Sequence, residues 1–255
     1  MPDGSAGDAN YATIGTVYTG FRNPDPRIAA TILTALGQST TVLNVGGGAG
    51  SYEPTDRSVT AVEPSASMRA RRPADRPAID ATAEHLPFPD NSFDAAMATF
   101  TVHQWQNLAA GLVELRRVTR GPVVILTCDP DLVREFWLYD YAPEVLDVEA
   151  RRYPAITDLA AGLGGEITVT PVPVPIDCVD GFNEAYYARP EMLLDPAARQ
   201  ACSAWSFVDA QAQGRFTAHL SRDLADGGWD RRHGTLRTRP TLNGSLILLT
   251  STPRG

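Results

Sequence analysis

The pattern of apolar and polar positions divides the chain into alternating helices and strands. Residues 26–36, "PRIAATILTAL", follow helical spacing behind a proline suited to a first turn, with one apolar face made of Ile28, Ile32, Leu33 and Leu36. Short aliphatic or β-branched runs predict strands at 41–45, 58–63 and 93–99, and a helix follows at 107–118. The run "PVVILTC" (122–128) is typical of a strand buried on both faces of a parallel sheet. This alternation predicts a doubly wound α/β fold.

The second half of the chain is less regular. Residues 166–176, "EITVTPVPVPI", carry prolines at 171, 173 and 175, which remove hydrogen-bond donors from one side only and predict an edge strand. Residues 244–252 predict a final strand, and the segment of about 177–240 predicts a helical cap. We therefore interpret 1–255 as one domain, divided into a lid and helix (1–40), a cofactor-binding half (41–128) and a second half (129–255) that carries the cap.

Composition narrows the classes of partner. The 255 residues are 43% hydrophobic with a formal net charge of −8, which disfavours a nucleic-acid substrate. No apolar run is long enough to span a membrane, and the polar start "MPDGSAGDAN" does not resemble a secretory signal. Three separated cysteines, none spaced with a histidine as metal ligands, indicate a reduced cytoplasm and no metal site. The pattern does not indicate an oligomeric state.

The stretch "TVLNVGGGAG" (41–50) is the strongest candidate for chemistry. Gly46, Gly48 and Gly50 follow a predicted strand: the first permits a sharp turn, the second lets a ligand touch backbone, and the third lets a following helix pack closely. A dinucleotide-binding loop has its third glycine one position later, where this chain has Ser51. A plain tight turn is the alternative interpretation.

Glu63 ends the second predicted strand. A carboxylate at this place can accept both hydroxyls of a ribose, whether of NAD or of S-adenosylmethionine. The alternative is that Glu63 caps a helix that begins near Ser65.

These motifs together resemble the class I S-adenosylmethionine-dependent methyltransferases, most closely the small-molecule, type 11-like group. That group carries "AExLPFxDxSFD" after its third strand, and this chain has "AEHLPFPDNSFD" at 83–94, followed by "AAMATFTVHQW". The resemblance runs from about residue 18 to 128 and more loosely to the C-terminus. It implies a mostly parallel seven-stranded, Rossmann-like sheet with a helical cap, S-adenosylmethionine as cofactor and S-adenosylhomocysteine as product.

The resemblance also implies roles for individual residues. Gly46 to Gly50 would wrap the methionine and ribose, Glu63 would hold the ribose hydroxyls, and Met68 would lie near adenine. Ala83 would offer its backbone N–H to adenine with Thr82 and Glu84 beside it, and Thr99 and Phe100 would form the floor of the transfer site. In the N-terminal lid, Tyr18 and Arg22 would approach the amino-acid end, where an arginine can pair with a carboxylate; packing at a helix start is the alternative for both.

Two departures from the family's pattern concern the cofactor loop. Asn44 replaces the usual acid, so a charge that faces the cofactor is expected to be missing, and an aspartate there is expected to tighten binding. The segment after Gly50 is shorter than usual and contains Pro54, which predicts a stunted first helix. A third departure, "TRGP" in place of an R-P-G-G turn, lies away from the chemistry.

His103, just past the fourth strand, is the candidate general base, because neutral imidazole accepts protons near neutral pH. The alternative is a structural histidine that orders its loop. Aromatic residues at 134–144, 182–187 and 205–207 are candidates for an acceptor pocket or, alternatively, ordinary core. The sequence predicts methyl transfer to a small apolar or aromatic molecule. A cofactor-binding scaffold or non-redox cyclase is the first alternative, and a nicotinamide oxidoreductase is the second.

Overall fold

A seven-stranded sheet forms the centre of the computed structural model, which describes residues 20–254. The strands in this part of the chain are β1 (Thr41–Val45), β2 (Ser58–Val62), β3 (Ala78–Ile79), β4 (Ala95–Thr99), β5 (Val123–Cys128), β6 (Glu166–Pro171), β7 (Val174–Pro175), β8 (Thr241–Leu242) and β9 (Leu246–Thr252). The order across the sheet is β3-β2-β1-β4-β5-β9-β6, and β9 runs antiparallel to both of its neighbours while the other pairs are parallel. The predicted fold class is confirmed.

The edge strand ends earlier than predicted. β6 pairs with β9 alone, as an edge strand does, but it stops at Pro171. Prolines 173 and 175 have no N–H to continue the ladder. The chain instead turns away, and β7 forms a separate two-stranded ribbon with β8.

Helices cover the sheet and form the cap. The α-helices of the described chain are α1 (Pro26–Leu36), α2 (Ala66–Arg69), α3 (Leu108–Val118), α4 (Pro143–Arg152), α5 (Ile156–Leu163), α6 (Pro196–Gln200), α7 (Ala210–Ala225) and α8 (Gly228–His233). Short 3-10 turns lie between them at Val102–Gln104, Val133–Glu135, Trp137–Asp140, Asn183–Tyr186, Pro190–Leu194, Ser203–Phe207 and Gly234–Thr238. None of these helices is both long and apolar enough to cross a membrane.

Local sequence signals account for both ends of α1. It begins at Pro26 and ends at Leu36, as its spacing predicts. The Asp25 side chain caps its first turn by accepting from the Arg27 N–H, and Gly37 at φ 58° ends it. Its predicted apolar face is buried except for Leu33, which is half-buried.

The aromatic residues proposed for an acceptor pocket are mostly ordinary core. Trp137 and Trp205 are each no more than 5% exposed, and the Trp137 indole donates to the Tyr187 carbonyl at 3.1 Å. Trp137 also packs edge-on against Trp229, with ring centroids 5.5 Å apart. These rings stabilise the cap by burial. Tyr139 and Phe207 are exceptions, because they are only half-buried.

Candidate active site

A cleft of about 260 Å³ opens at the carboxyl ends of β1, β2 and β4. In open parallel sheets this edge, where the strand order reverses, is the usual place for a ligand. The residues that line it are Gly46, Gly47, Gly48, Ala49, Ser51, Glu63, Pro64, Ser65, Met68, Thr82, Ala83, Glu84, Thr99, Phe100, Thr101, Gln104, Trp105 and Gln106. Nine of the residues predicted from the sequence are in that wall: Gly46, Gly48, Glu63, Met68, Thr82, Ala83, Glu84, Thr99 and Phe100.

Five other predicted residues are not in that wall. Arg22, Asn44, Gly50 and His103 lie outside the lining of the cleft, and Tyr18 lies outside the described residues. Sequence reasoning missed Thr101 and Trp105, which do line it.

The glycine loop is shaped by its neighbours. Gly46 has φ 68°, and a Cβ added there would lie 2.0 Å from the Thr101 hydroxyl oxygen, so no side chain fits. The N–H groups of Gly46 and Gly47 both donate to the Val62 carbonyl at 3.0 Å. These bonds hold the loop against the end of β2 and keep its backbone at the cleft.

The carboxylate of Glu63 joins the glycine loop to the end of β2. One oxygen accepts from the Gly48 N–H at 2.9 Å and the other from the Ser65 N–H at 2.8 Å. The cap of α2 is Ser65 itself, whose hydroxyl accepts from the Met68 N–H. Glu63 is 8% exposed and lies in the wall of the cleft. The helix-cap alternative therefore applies to Ser65, and Glu63 supports the loop from within the site.

Asn44 lies beneath the cleft and contacts a buried ion pair. Its amide donates to Glu53 Oε1 at 2.8 Å, and Arg72 donates to both Glu53 oxygens at 2.7 and 2.8 Å. The side chains of Glu53 and Arg72 are each 2% exposed, and Arg72 also donates to the carbonyls of Gly47 and Gly48 at 3.2 Å. The carboxylate under the loop is thus supplied by Glu53, and the amide of Asn44 is its donor.

This arrangement corrects two expectations. The segment from Gly46 to Arg57 contains no helix, so the short first helix predicted from the sequence is absent. Gly50, at φ 99°, consequently packs against the Glu53 and Arg72 side chains and not against a helix. The Glu53–Arg72 pair ties the loop to the end of α2, which is the support that a first helix would otherwise give.

Apolar side chains line the end of the cleft beside Trp105. Met68 and Ala83 are buried in its wall, and Trp105 is 6% exposed. The indole lies against Gly111 of α3, where an added Cβ would come within 2.5 Å of the ring. Glu84 uses its carboxylate to accept from the Asn107 N–H at the start of α3. This end fits a planar ring system.

The opposite end of the cleft is formed by the chain that leaves β4. Phe100 has φ 52°, which is uncommon for a residue other than glycine, and its N–H donates to the Leu126 carbonyl at 2.9 Å. Its ring packs on Phe182, with centroids 5.5 Å apart, and under the Arg22 guanidinium at 5.1 Å. Strained backbone of this kind clusters at functional sites.

Arg22 pairs with an acid of the cap. Its Nε donates to Asp180 Oδ1 at 2.5 Å and its NH2 to Oδ2 at 3.4 Å. Tyr52, from the glycine-loop segment, donates its hydroxyl to the same carboxylate at 2.8 Å. Burial, followed by the Asp180 charge, raises the pKa of Tyr52 well above its usual range, so the phenol stays protonated. Asp180 therefore joins three parts of the chain next to Phe100.

His103 lies behind the wall of the cleft. Thr101 and Gln104 line the cleft, whereas His103 packs edge-on against Tyr153, with ring centroids 4.8 Å apart. It is 6% exposed, and its Nδ1 has no hydrogen-bond partner in the described chain. Burial above all, and then the charges of Arg152 and Arg22, hold the pKa of His103 well below its usual value. The imidazole is neutral at pH 7.

A polar cluster lies beside His103, and sequence reasoning missed it. We define it as His103, Glu149, Arg152, Tyr153 and Asn183. Asn183 donates to Glu149 Oε2 at 3.0 Å and accepts at its own oxygen from the Trp205 indole at 3.0 Å. Burial is the largest influence on Glu149 and raises its pKa to about 7, although the Asn183 hydrogen bond acts in the opposite direction.

This chain shares one domain and its fold with known proteins. Residues 43–126 match the family model described as a methyltransferase domain. A protein assigned as a methyltransferase from an antibiotic biosynthesis pathway of Anabaena variabilis ATCC 29413 is 27% identical, with a TM-score of 0.84 over 91% of this chain and 99% of that chain. No curated protein matches the sequence.

Two more distant structures share the fold alone. The (4+2) cyclase SpnF is 16% identical with a TM-score of 0.54, covering 96% of this chain and 93% of that chain. Geranyl diphosphate C-methyltransferase from Streptomyces coelicolor A3(2), solved with Mg²⁺, geranyl diphosphate and S-adenosyl-L-homocysteine, is 13% identical with a TM-score of 0.51, covering 89% of this chain and 78% of that chain.

Proposed function

Since residues 43–126 form a methyltransferase domain and the fold is that of the class I S-adenosylmethionine-dependent methyltransferases, we propose that this protein transfers a methyl group from S-adenosylmethionine to a small apolar or aromatic molecule. The resemblance drawn from the sequence is confirmed at the level of this class. The observation that carries the proposal is the cleft itself, in which the glycine loop and the Glu63 carboxylate converge at the carboxyl edge of the sheet.

The lining of the cleft matches the parts of the cofactor. The backbone of Gly46 to Gly48 faces the methionine and ribose, and the Glu63 carboxylate accepts from the ribose hydroxyls. The apolar end beside Met68 and Ala83 takes adenine, with Thr82 and Glu84 at its border. Thr99 and Phe100 then form the floor at the sulfonium methyl. S-adenosylhomocysteine is the product that leaves this cleft.

Methyl transfer from a sulfonium mainly requires alignment. The methyl group is already activated, so holding a nucleophile in line with it supplies most of the rate enhancement. A base is needed only when the nucleophile carries a proton. His103 stays our candidate for that base, because its imidazole is neutral and lies directly behind the residues that border the methyl end. The net charge of −8 agrees with a small acceptor and not a nucleic acid.

Two other functions share parts of this cleft. Asn44 and the short first helix predicted from the sequence suggest a cyclase or scaffold that binds the cofactor without transfer. The structure gives this alternative less support, because the Glu53–Arg72 ion pair holds the glycine loop in place. A nicotinamide oxidoreductase would need a pyrophosphate site at a helix that follows the loop, and the described chain has no helix there.

Isothermal calorimetry with S-adenosylmethionine, S-adenosylhomocysteine and NAD separates the three. We expect both adenosyl compounds to bind and NAD not to bind. A release of S-adenosylhomocysteine when cell extract is added as a source of acceptors then distinguishes a transferase from a scaffold or cyclase. Binding of NAD in preference to S-adenosylhomocysteine would contradict the proposal.

A further inference from the structure

The guanidinium of Arg152, the last residue of α4, is buried, and two of its three nitrogens make no hydrogen bond to the described residues. The residue is 5% exposed, NH1 donates to the Ser203 hydroxyl at 2.8 Å, and the group lies over the Phe207 ring at 4.8 Å. Its Nε and NH2 are buried and have no hydrogen-bond partner among residues 20–254. These two nitrogens form one edge of the planar group, with N–H bonds pointing the same way.

The same edge binds a carboxylate elsewhere in this protein. Arg117 donates from Nε and NH2 to the two oxygens of Glu114 at 2.6 and 2.8 Å, and Arg27 does so to Asp25 at 2.9 and 2.8 Å. Arg199, another buried arginine of the cap, instead donates to the carbonyls of Leu193 and Leu194. Within the described chain, Arg152 alone combines a buried Nε and a buried NH2 that both lack a partner.

Arg152 lies near His103, whose pKa its charge helps to lower. It precedes Tyr153, whose ring packs on His103, and it follows Glu149 by three residues on the same face of α4. His103 in turn lies between two residues that line the cleft, Thr101 and Gln104. The buried charge therefore sits behind the methyl end of the cleft, next to the candidate base.

No acid of the described chain neutralises this charge by direct contact. Glu149, the nearest candidate along α4, makes no ion pair with Arg152, and burial raises its pKa to about 7, so it carries only part of a charge at neutral pH. A buried cation without an ion-pair partner is costly to the fold. An anion with two parallel acceptor oxygens that binds the unused edge of Arg152 would offset this cost.

We propose that Arg152 binds a carboxylate of the methyl acceptor, which makes the acceptor a small apolar or aromatic acid. The inference rests on the proposed methyltransferase function and specifies its substrate class. The apolar body of the acid would contact the rings of Phe207 and Phe182, while its carboxylate lies in the plane of the guanidinium. Because both nitrogens are closed to solvent, binding of the acid requires side chains around the guanidinium to move.

Binding of matched probes tests the proposal directly. Benzoate, phenylacetate and indole-3-acetate, each paired with its carboxamide, are titrated into protein saturated with S-adenosylhomocysteine. We expect at least one carboxylate to bind at least about 10-fold more tightly than its carboxamide, and Arg152→Met to weaken that carboxylate by about 10- to 100-fold. Arg199→Met, the matched control, should bind it like the wild type. Equal binding of carboxylate and carboxamide, no binding of any carboxylate, or full binding by Arg152→Met would overturn the proposal.

Stability without ligand gives a second readout. If Arg152 is retained for an anion, Arg152→Met should unfold at the same or a higher urea concentration than the wild type, whereas Arg199→Met loses two bonds to carbonyls and should unfold earlier. An equal loss in both variants would make Arg152 a structural residue. If S-adenosylhomocysteine itself fails to bind, the methyltransferase proposal fails; if it binds and the carboxylates are not distinguished, only the acceptor inference fails.

Discussion

Asn44→Asp is the substitution that separates the two accounts of the glycine loop. The family resemblance predicts that an acid at this position faces the cofactor and strengthens binding. The structure instead places the Asn44 amide 2.8 Å from Glu53 Oε1, where it donates a hydrogen bond at a fully buried position. An aspartate cannot donate that bond when ionised, and it would bring a second carboxylate against the first.

The expected cost follows from these contacts. Two unit charges about 4 Å apart repel by about 4 kcal/mol at an effective dielectric constant of about 20. The lost hydrogen bond to a charged group adds roughly 1.5–3 kcal/mol, and attraction to Arg72 offsets part of the sum. The folded variant can also avoid the repulsion if one of the two carboxyls keeps its proton at pH 7, roughly three units above its usual pKa. At about 1.36 kcal/mol per unit this costs about 4 kcal/mol, which sets an upper limit on the loss of stability. We expect a loss of about 3–4 kcal/mol, or roughly 6–16 °C in Tm.

The loss should depend on pH. In the folded variant the carboxyl pair has a raised affinity for one proton, whereas in the unfolded chain both carboxyls titrate near about pH 4. A folded-state pKa that lies above the unfolded value gives stability that is present at low pH and is lost as the pH rises. The deficit relative to the wild type should therefore be small near pH 5 and largest at pH 7 and above.

Urea unfolding followed by tryptophan fluorescence at pH 5, 6 and 7 measures this deficit. Asn44→Ala is the matched control, because it removes the donor without adding a charge, and its deficit should not change with pH. An Asn44→Asp variant that is as stable as the wild type at pH 7 and binds S-adenosylhomocysteine more tightly would refute our account of the loop.

Three further substitutions test the rest of the site. Glu63→Gln should weaken S-adenosylhomocysteine by at least about tenfold in calorimetry, since a charge-assisted bond is worth roughly 1.5–3 kcal/mol, while the exposed Glu144→Gln should not; equal affinities would exclude Glu63 from the ribose site. His103→Ala should lower kcat on a protonated acceptor by about 10²–10⁴-fold with little change in cofactor affinity, and a parallel loss of affinity and stability would make His103 structural. Glu149→Gln should leave the free energy of unfolding unchanged at pH 4 and raise it by about 3 kcal/mol at pH 8. The wild-type carboxyl has a pKa of about 7 in the folded protein and about 4.5 in the unfolded chain, so the wild type loses stability as the pH rises above about 4.5. Stability profiles of variant and wild type that stay parallel across this pH range would contradict this.

The sequence was most informative where the signal is local. The limits of α1 follow from a cap, a proline and a glycine that are adjacent in the chain, and the buried run of β5 shows its place inside the sheet. The glycine loop and Glu63 lie at the ends of neighbouring parallel strands, so their meeting in one cleft follows from topology.

Contacts between distant residues could not be read in the same way. Glu53 pairs with Arg72 across a whole strand and helix, and no spacing rule connects them. The function of the Asn44 amide becomes clear only once that pair is known. Arg152 did leave a signal, because it falls among the buried residues of α4 with Val145 and Leu146. Charges on an apolar face are more informative than the aromatic residues on which the sequence interpretation relied.

A crystal structure of the complex with S-adenosylhomocysteine tests the central claim most directly. The distances to be measured are those from the Glu63 carboxylate oxygens to the ribose hydroxyls. Our account predicts hydrogen-bond lengths of about 2.5–3.0 Å, with adenine beside Ala83 and the sulfur next to Phe100. A ligand bound away from the glycine loop, or a ribose that makes no contact with Glu63, would contradict it.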